Sequence, residues 1–118
     1  MADLNAAVFA FYQDLAAQDQ ARRVLTYTSS EFGRRVKENG SEGTDHGAAS
    51  SMFMFGPAVK PGIHGQHPSL TDLQGGAGGS LKHTTDFRSV YATLLQKWLG
   101  IPSEPVLGGK FPLLDCLA

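Results

Sequence analysis

The sequence predicts one mixed α/β domain over residues 1–118: an open sheet with two amphipathic helices and a glycine-rich loop region between them. Three observations carry this. Apolar residues recur at helical spacing near both ends, two short strand-like runs lie between them, and none of the 14 glycines precedes Gly33. A chain of 118 residues suits a single domain. Hydrophobic residues at 42% and charged residues at 18% exclude a disordered chain. No apolar run approaches the roughly 20 residues of a membrane helix, so a soluble globular chain is expected.

The first helix follows Asp3, a candidate cap, with Leu4, Val8, Phe11, Tyr12 and Leu15 on one side. Val24-Leu25-Thr26-Tyr27-Thr28-Ser29 has the β-branched and aromatic content of a short buried strand, whose end delivers Ser30 to Arg34 into a loop. Open α/β sheets bind ligands at the carboxyl ends of their strands, which gives that pentapeptide a functional address. Asn39 to Gly47 reads as turn and loop throughout, and Ser51 to Phe55 as a second buried strand closed by Gly56-Pro57. Gly75 to Gly79 reads as a flexible hairpin or excursion. Phe87, Val90, Tyr91, Leu94, Leu95, Trp98 and Leu99 give the clearest helical period, with Thr85 or Asp86 as cap and Gly100 as stop. The tail from Val106 to Leu114 is apolar and is expected to lie extended across the body.

Ten basic against eleven acidic residues leave a net charge of −1, which makes no case for a nucleic acid or an anionic membrane as partner. Cys116 is the one cysteine, so no internal disulfide forms and a reducing compartment is permitted. No secretory signal is visible at Met1-Ala2-Asp3-Leu4, and the chain as it stands is expected in the cytoplasm.

All four histidines fall between His46 and His83, inside the loop-rich middle. Glu31 and Arg34 stand just past the first strand, and Asp45-His46 follows in a glycine-flanked segment. Carboxylate and imidazole together suit a zinc- or manganese-like ion, provided the loop bends to aim both at one point. The same two residues also suit a capped turn in which His46 bonds to backbone. His64 and His67 could reach one ion only if their loop turns, and otherwise sit in solvent. His83 lies near the start of the second helix, whose dipole would lower its basicity. Arg34, Arg35 and Lys37 could hold a phosphate, sulfate or carboxylate group, or simply form a solvated edge. Cys116 has no basic neighbour in sequence and is given no catalytic role.

Ser30-Glu31-Phe32-Gly33-Arg34-Arg35-Val36, Glu38-Asn39-Gly40-Ser41, Gly43-Thr44-Asp45-His46-Gly47 and Thr84-Thr85-Asp86-Phe87-Arg88-Ser89-Val90-Tyr91 resemble the C-terminal part of the domain-of-unknown-function 1501 family. The resemblance runs from about Leu4 to Leu114, and that family is similar to the alkaline-phosphatase and sulfatase superfamily of metal-dependent hydrolases. The resemblance implies a partial alkaline-phosphatase-like open sheet. It places Ser30-Glu31-Phe32-Gly33 where superfamily members carry Ser-Asp-His-Gly, so Glu31 would keep a carboxylate ligand while Phe32 replaces a histidine. Thr44-Asp45-His46-Gly47 matches a Gly-x-His-Gly motif, which makes His46 the best single candidate for a ligand. The nucleophilic Ser or Thr and the first metal carboxylate of the superfamily have no counterpart here.

Two functions are therefore expected as alternatives. In the first, Glu31, Asp45 and His46 hold a divalent ion (zinc, manganese or calcium) that activates water. Glu31, Arg34 and His46 are then the catalytic set, acting on a phosphate, sulfate, carboxylic ester or lactone, with His64, His67 and His83 as further candidates. In the second, the chain is a non-catalytic fragment or a self-associating module. With too few strands and helices for a closed sandwich, a homodimer is expected in either case. Relatives carrying a twin-arginine export signal would be periplasmic or secreted.

Overall fold

The computed structural model describes Met1–Ala118 as a mixed α/β chain. Helix α1 spans Ala2–Ala17, and a single 3-10 turn, Ala21–Arg23, leads into strand β1, Thr26–Tyr27. Strands β2, Gly33–Glu38, and β3, Thr44–Gly47, form a hairpin. Strand β4, Met54–Phe55, returns to pair with β1, and β5, Leu73–Gln74, pairs with β6, Ser80–Leu81, across the Gly75 to Gly79 turn. Helix α2, Phe87–Thr93, continues as a π turn over Leu94–Trp98, and a short helix α3, Glu104–Leu107, precedes the tail.

The expected open sheet is thus three separate two-stranded ribbons, all antiparallel. Both buried-strand runs contribute only two strand residues each; beyond them the Thr28 N–H still donates to the Phe53 carbonyl at 2.9 Å, but that bond is not returned backbone to backbone. The Val24 N–H turns back to the Ala21 carbonyl, and the Phe53 N–H goes to Oγ1 of Thr28 instead of a carbonyl. Thr44–Gly47, expected as loop, is a strand, and Gly33 and Arg34 open β2 rather than continuing the loop. Val106 and Leu107, expected to be extended, are flanked by Pro105 and Gly108 and close the single turn of α3.

The β1–β4 ribbon sits between the two main helices. Tyr27 lies opposite Met54, and Thr26 opposite Phe55, so each pair shares one face. On one face Tyr27 meets Tyr91 of α2 edge-on, with ring centres 6.0 Å apart, and Met54 packs on the core. At the other face the Tyr12 hydroxyl of α1 donates to the Phe55 carbonyl at 2.7 Å and lies 3.1 Å from Oγ1 of Thr26. Tyr12 is the only side chain of α1 hydrogen-bonded to the ribbon, and no residue of α1 is buried. Asp3 does not cap α1; it lies in the first turn, where a carboxylate still favours the positive end of the helix.

The core forms where α2 meets the tail. Val90, Leu94, Cys116 and Leu117 are buried together, with Leu25, Met52, Met54, Val59, Trp98 and Leu114 packed around them. The tail is tied down by backbone bonds, Lys60 N–H to the Cys116 carbonyl and Ala118 N–H to the Ala58 carbonyl, each 2.9 Å. Thr93, wholly buried, donates to the Ser89 carbonyl at 2.7 Å and accepts the Leu114 N–H at 2.8 Å. The apolar stripe of the second helix is therefore only half used: Val90 and Leu94 are covered, whereas Phe87 and Leu99 stay exposed. The π turn brings the Leu99 N–H to the Leu94 carbonyl, five residues back, and Gly100 ends the helix at a φ of 66°.

The surface is large for the mass. The accessible area is 8364 Å² for 12.6 kDa, whereas a compact monomer of this size exposes about 6,200 Å². The radius of gyration, 16.8 Å, likewise exceeds the roughly 13.5 Å of a compact domain this long.

Asp86 starts α2. Its carboxylate accepts the Arg88 N–H at 2.9 Å and the Arg88 guanidinium at 2.6 Å, and that guanidinium above all holds the Asp86 carboxyl down at about 2. Asp86→Ala is expected to cost about 1 kcal/mol in urea unfolding at pH 7. A depressed carboxyl stabilises the fold above its unfolded value, about 3.9. The difference between wild type and variant should thus hold above about pH 4 and vanish as the pH falls through about 2. A difference that stays constant to pH 2 would contradict the assignment.

Candidate functional site

Most of the candidate residues meet on the β2–β3 hairpin. Its base is two glycines facing each other, Gly33 and Gly47. A Cβ on Gly33 would lie 1.6 Å from the Ala49 carbonyl oxygen, and one on Gly47 2.7 Å from the Arg34 carbonyl carbon, so neither site tolerates a side chain. Its tip is organised by Asn39, whose Oδ1 accepts the N–H groups of Ser41 and Gly43 at 3.0 and 3.1 Å. The Asn39 backbone N–H closes the turn on the Gly43 carbonyl at 2.8 Å. Asn39 escaped the sequence-based choice of site residues, although Asn-Gly is a strong turn signal.

Arg34 lies directly opposite His46, and Glu38 opposite Thr44, so Arg35, Val36 and Lys37 all face the single residue Asp45 across a bulge. Alternation then sorts the side chains onto two faces. On one, the His46 imidazole stacks on Phe32, with centroids 3.8 Å apart and planes 19° from parallel. The Arg34 guanidinium lies 5.4 Å from the same ring and donates to the Thr44 carbonyl at 2.7 Å. Phe32, expected only as the replacement of a histidine ligand, is thus the surface against which His46 and Arg34 are set.

The other face carries Asp45, whose Oδ1 accepts from Nδ2 of Asn39 at 3.1 Å. Arg35, Lys37, Glu38, Asn39, Gly40 and Asp45 line an open groove of about 520 Å³, roofed on one side by Ala77 and Gly78. Arg35 also donates through Nε to the His46 carbonyl at 3.2 Å, tying the two strands together. Arg34, Arg35 and Lys37 are all exposed.

The expectation that a bent loop aims Asp45 and His46 at one point is corrected by the extended strand: neighbouring strand residues project to opposite sides. Glu31 is exposed at the bend before β2 and makes no side-chain bond or ion pair. Nε2 of His64 lies 2.9 Å from the Lys60 carbonyl, and Nδ1 of His67 lies 2.7 Å from the Pro68 carbonyl. His83 is exposed ahead of α2, near enough to Asp86 to help hold its carboxyl ionised. No three His, Cys, Asp or Glu side chains are gathered closely enough to hold an ion. The side chains of this chain do not by themselves fit a metal centre.

A ring stacked on Phe32 sits in its shielding cone. The His46 ring protons should therefore resonate upfield in wild type and move downfield in Phe32→Ala, leaving those of His64, His67 and His83 in place. Unchanged His46 signals would contradict the stack.

Residues 1–107 match the family described as "Protein of unknown function (DUF1501)". No curated protein and no solved structure matches the chain. No helix is long and apolar enough to cross a membrane. The match spans the hairpin, both glycines at its base and the whole of α2, and by it the chain belongs to the DUF1501 family.

Proposed function

We propose that the chain serves the hydrolysis of an ester-type bond (phosphate, sulfate, carboxylic ester or lactone), with the Phe32, Arg34 and His46 face of the hairpin meeting the substrate. The observation that carries this reading is the register that puts Arg34 opposite His46, with both side chains set against Phe32. Imidazole is the side chain most often used to move a proton near neutral pH. A guanidinium presents several N–H donors to an anionic oxygen, and only one of those on Arg34 is engaged, with the Thr44 carbonyl. His46 is accordingly assigned proton transfer to or from the reacting oxygen, and Arg34 the orientation of the anionic group.

The likeness of the family to alkaline phosphatases and sulfatases is part of this proposal. A divalent ion, zinc, manganese or calcium, would belong to it with Glu31 as one ligand and the remaining ligands supplied from outside these residues, leaving His46 free for proton transfer. The exposed position of Glu31, at the bend before β2, leaves room for such a contribution.

The test is a panel of p-nitrophenyl phosphate, sulfate and acetate and a γ-lactone, assayed with and without added zinc, manganese or calcium. One class should be turned over. His46→Ala should then lower kcat about 100-fold or more, and Arg34→Ala should act mainly on KM. Absence of turnover by wild type, or full activity in His46→Ala, would overturn the proposal.

A further inference from the structure

The tip of the β2–β3 hairpin is wrapped around one residue. The N–H groups of Ser41 and Gly43 end on Oδ1 of Asn39, at 3.0 and 3.1 Å, and that of Glu42 ends on the Asn39 carbonyl at 3.3 Å. The Gly40 N–H, between them in sequence, makes no hydrogen bond. Gly40 is exposed, and a Cβ built on it would meet nothing within 4 Å. The backbone nitrogen next to the Asn39 side-chain amide therefore keeps its proton free, on a residue with no side chain to shield it.

We propose that Asn39 is a site of spontaneous deamidation, at which the Gly40 backbone nitrogen closes onto the Asn39 side chain. The Gly40 nitrogen gives its proton to hydroxide and forms a bond to Cγ of Asn39, and the carbonyl electron pair moves onto Oδ1. The two N–H donors already on Oδ1 stabilise that charge as an oxyanion hole does. The Cγ–Nδ2 bond then breaks, and Nδ2 leaves as ammonia with a proton taken from water. Water next opens the cyclic imide at either of its carbonyls. Attack at Cγ gives aspartate, whereas attack at the main-chain carbonyl gives isoaspartate, with the chain running through Cγ. In balance, a water is taken up and an ammonia is released.

Both products alter the hairpin. Nδ2 is the group through which Asn39 donates to Oδ1 of Asp45, at 3.1 Å. The aspartate product sets a carboxylate against that carboxylate instead. The isoaspartate product adds a backbone atom inside the turn that the Asn39 N–H closes on the Gly43 carbonyl at 2.8 Å. Either change weakens the pairing of β2 with β3 at the tip. The chain carries its own control, since the other asparagine, Asn5, lies inside α1 ahead of Ala6, with helical backbone and a methyl group on the attacking residue. The inference is independent of the catalytic reading, because the step needs no substrate.

Ageing the purified, folded chain in mildly alkaline buffer and mapping its peptides by mass tests this, with enzymatic methylation of isoaspartate as a second readout. Asn39 should convert to a mixture of aspartate and isoaspartate while Asn5 keeps its amide. Gly40→Ala, which the open space and the ordinary φ of Gly40 accommodate, should keep the circular dichroism of wild type and slow the conversion several-fold. In the isoaspartate fraction, the amides of Thr44 to Gly47 should exchange faster than in fresh protein. Asn39 intact after ageing, equal conversion at Asn5, an undiminished rate in Gly40→Ala or unchanged exchange in the aged hairpin would each overturn the proposal.

Discussion

The constraint on which the rest depends is the seating of the tail across α2. Thr93 is the pin: it has no solvent exposure, and its hydroxyl joins the Ser89 carbonyl to the Leu114 N–H. A buried hydroxyl satisfied on both sides costs little, whereas either of its partners left unpaired would cost about 1–3 kcal/mol. Once Leu114 is fixed, Cys116 and Leu117 fall onto Val90 and Leu94, and the backbone of Ala58 to Lys60 is captured by the last three residues. That contact in turn holds residues 56–60, and through Met52 and Met54 it positions the β1–β4 ribbon. The hairpin and α1 are attached to this body from outside.

How much of this the residues disclose depends on whether local chemistry or long-range pairing decides. Asp86 as a cap and Gly100 as a stop are legible, because each follows from a local preference, whereas of the apolar run Val106 to Leu114 only Leu114 joins the core, which is closed by Cys116 and Leu117 beyond it. The strand at Thr44–Gly47 is not legible. Its residues favour turns, and it is extended because Gly33 and Gly47 let two backbones approach where no side chain would fit. The short reach of β1 and β4 likewise turns on a side chain, since the Thr28 hydroxyl accepts the Phe53 N–H that would otherwise return the Thr28 backbone bond.

The candidate site divides along the same line. Sequence order brings Glu31, Arg34, Asp45 and His46 to one neighbourhood, and the hairpin does join three of them. Strand alternation then parts Asp45 from His46, a separation invisible while the segment is read as a bending loop. What emerges instead is an aromatic surface: Phe32 carries both the imidazole and the guanidinium, and no motif announces that pairing. The bulge adds the second face, gathering Arg35 and Lys37 beside Asp45 and Asn39.

The central claim is that the junction of α2 and the tail is the structural anchor and that the hairpin is carried by it. Native-state hydrogen exchange, resolved by residue, tests this most directly. The slowest amides should be those of Val90 to Leu94 together with Lys60, Leu114 and Ala118, exchanging only when the whole chain unfolds. Those of Arg34 to His46 should exchange faster, through local opening. Hairpin amides as slow as those of α2, or a Leu114 amide that exchanges freely while α2 stays protected, would contradict the account.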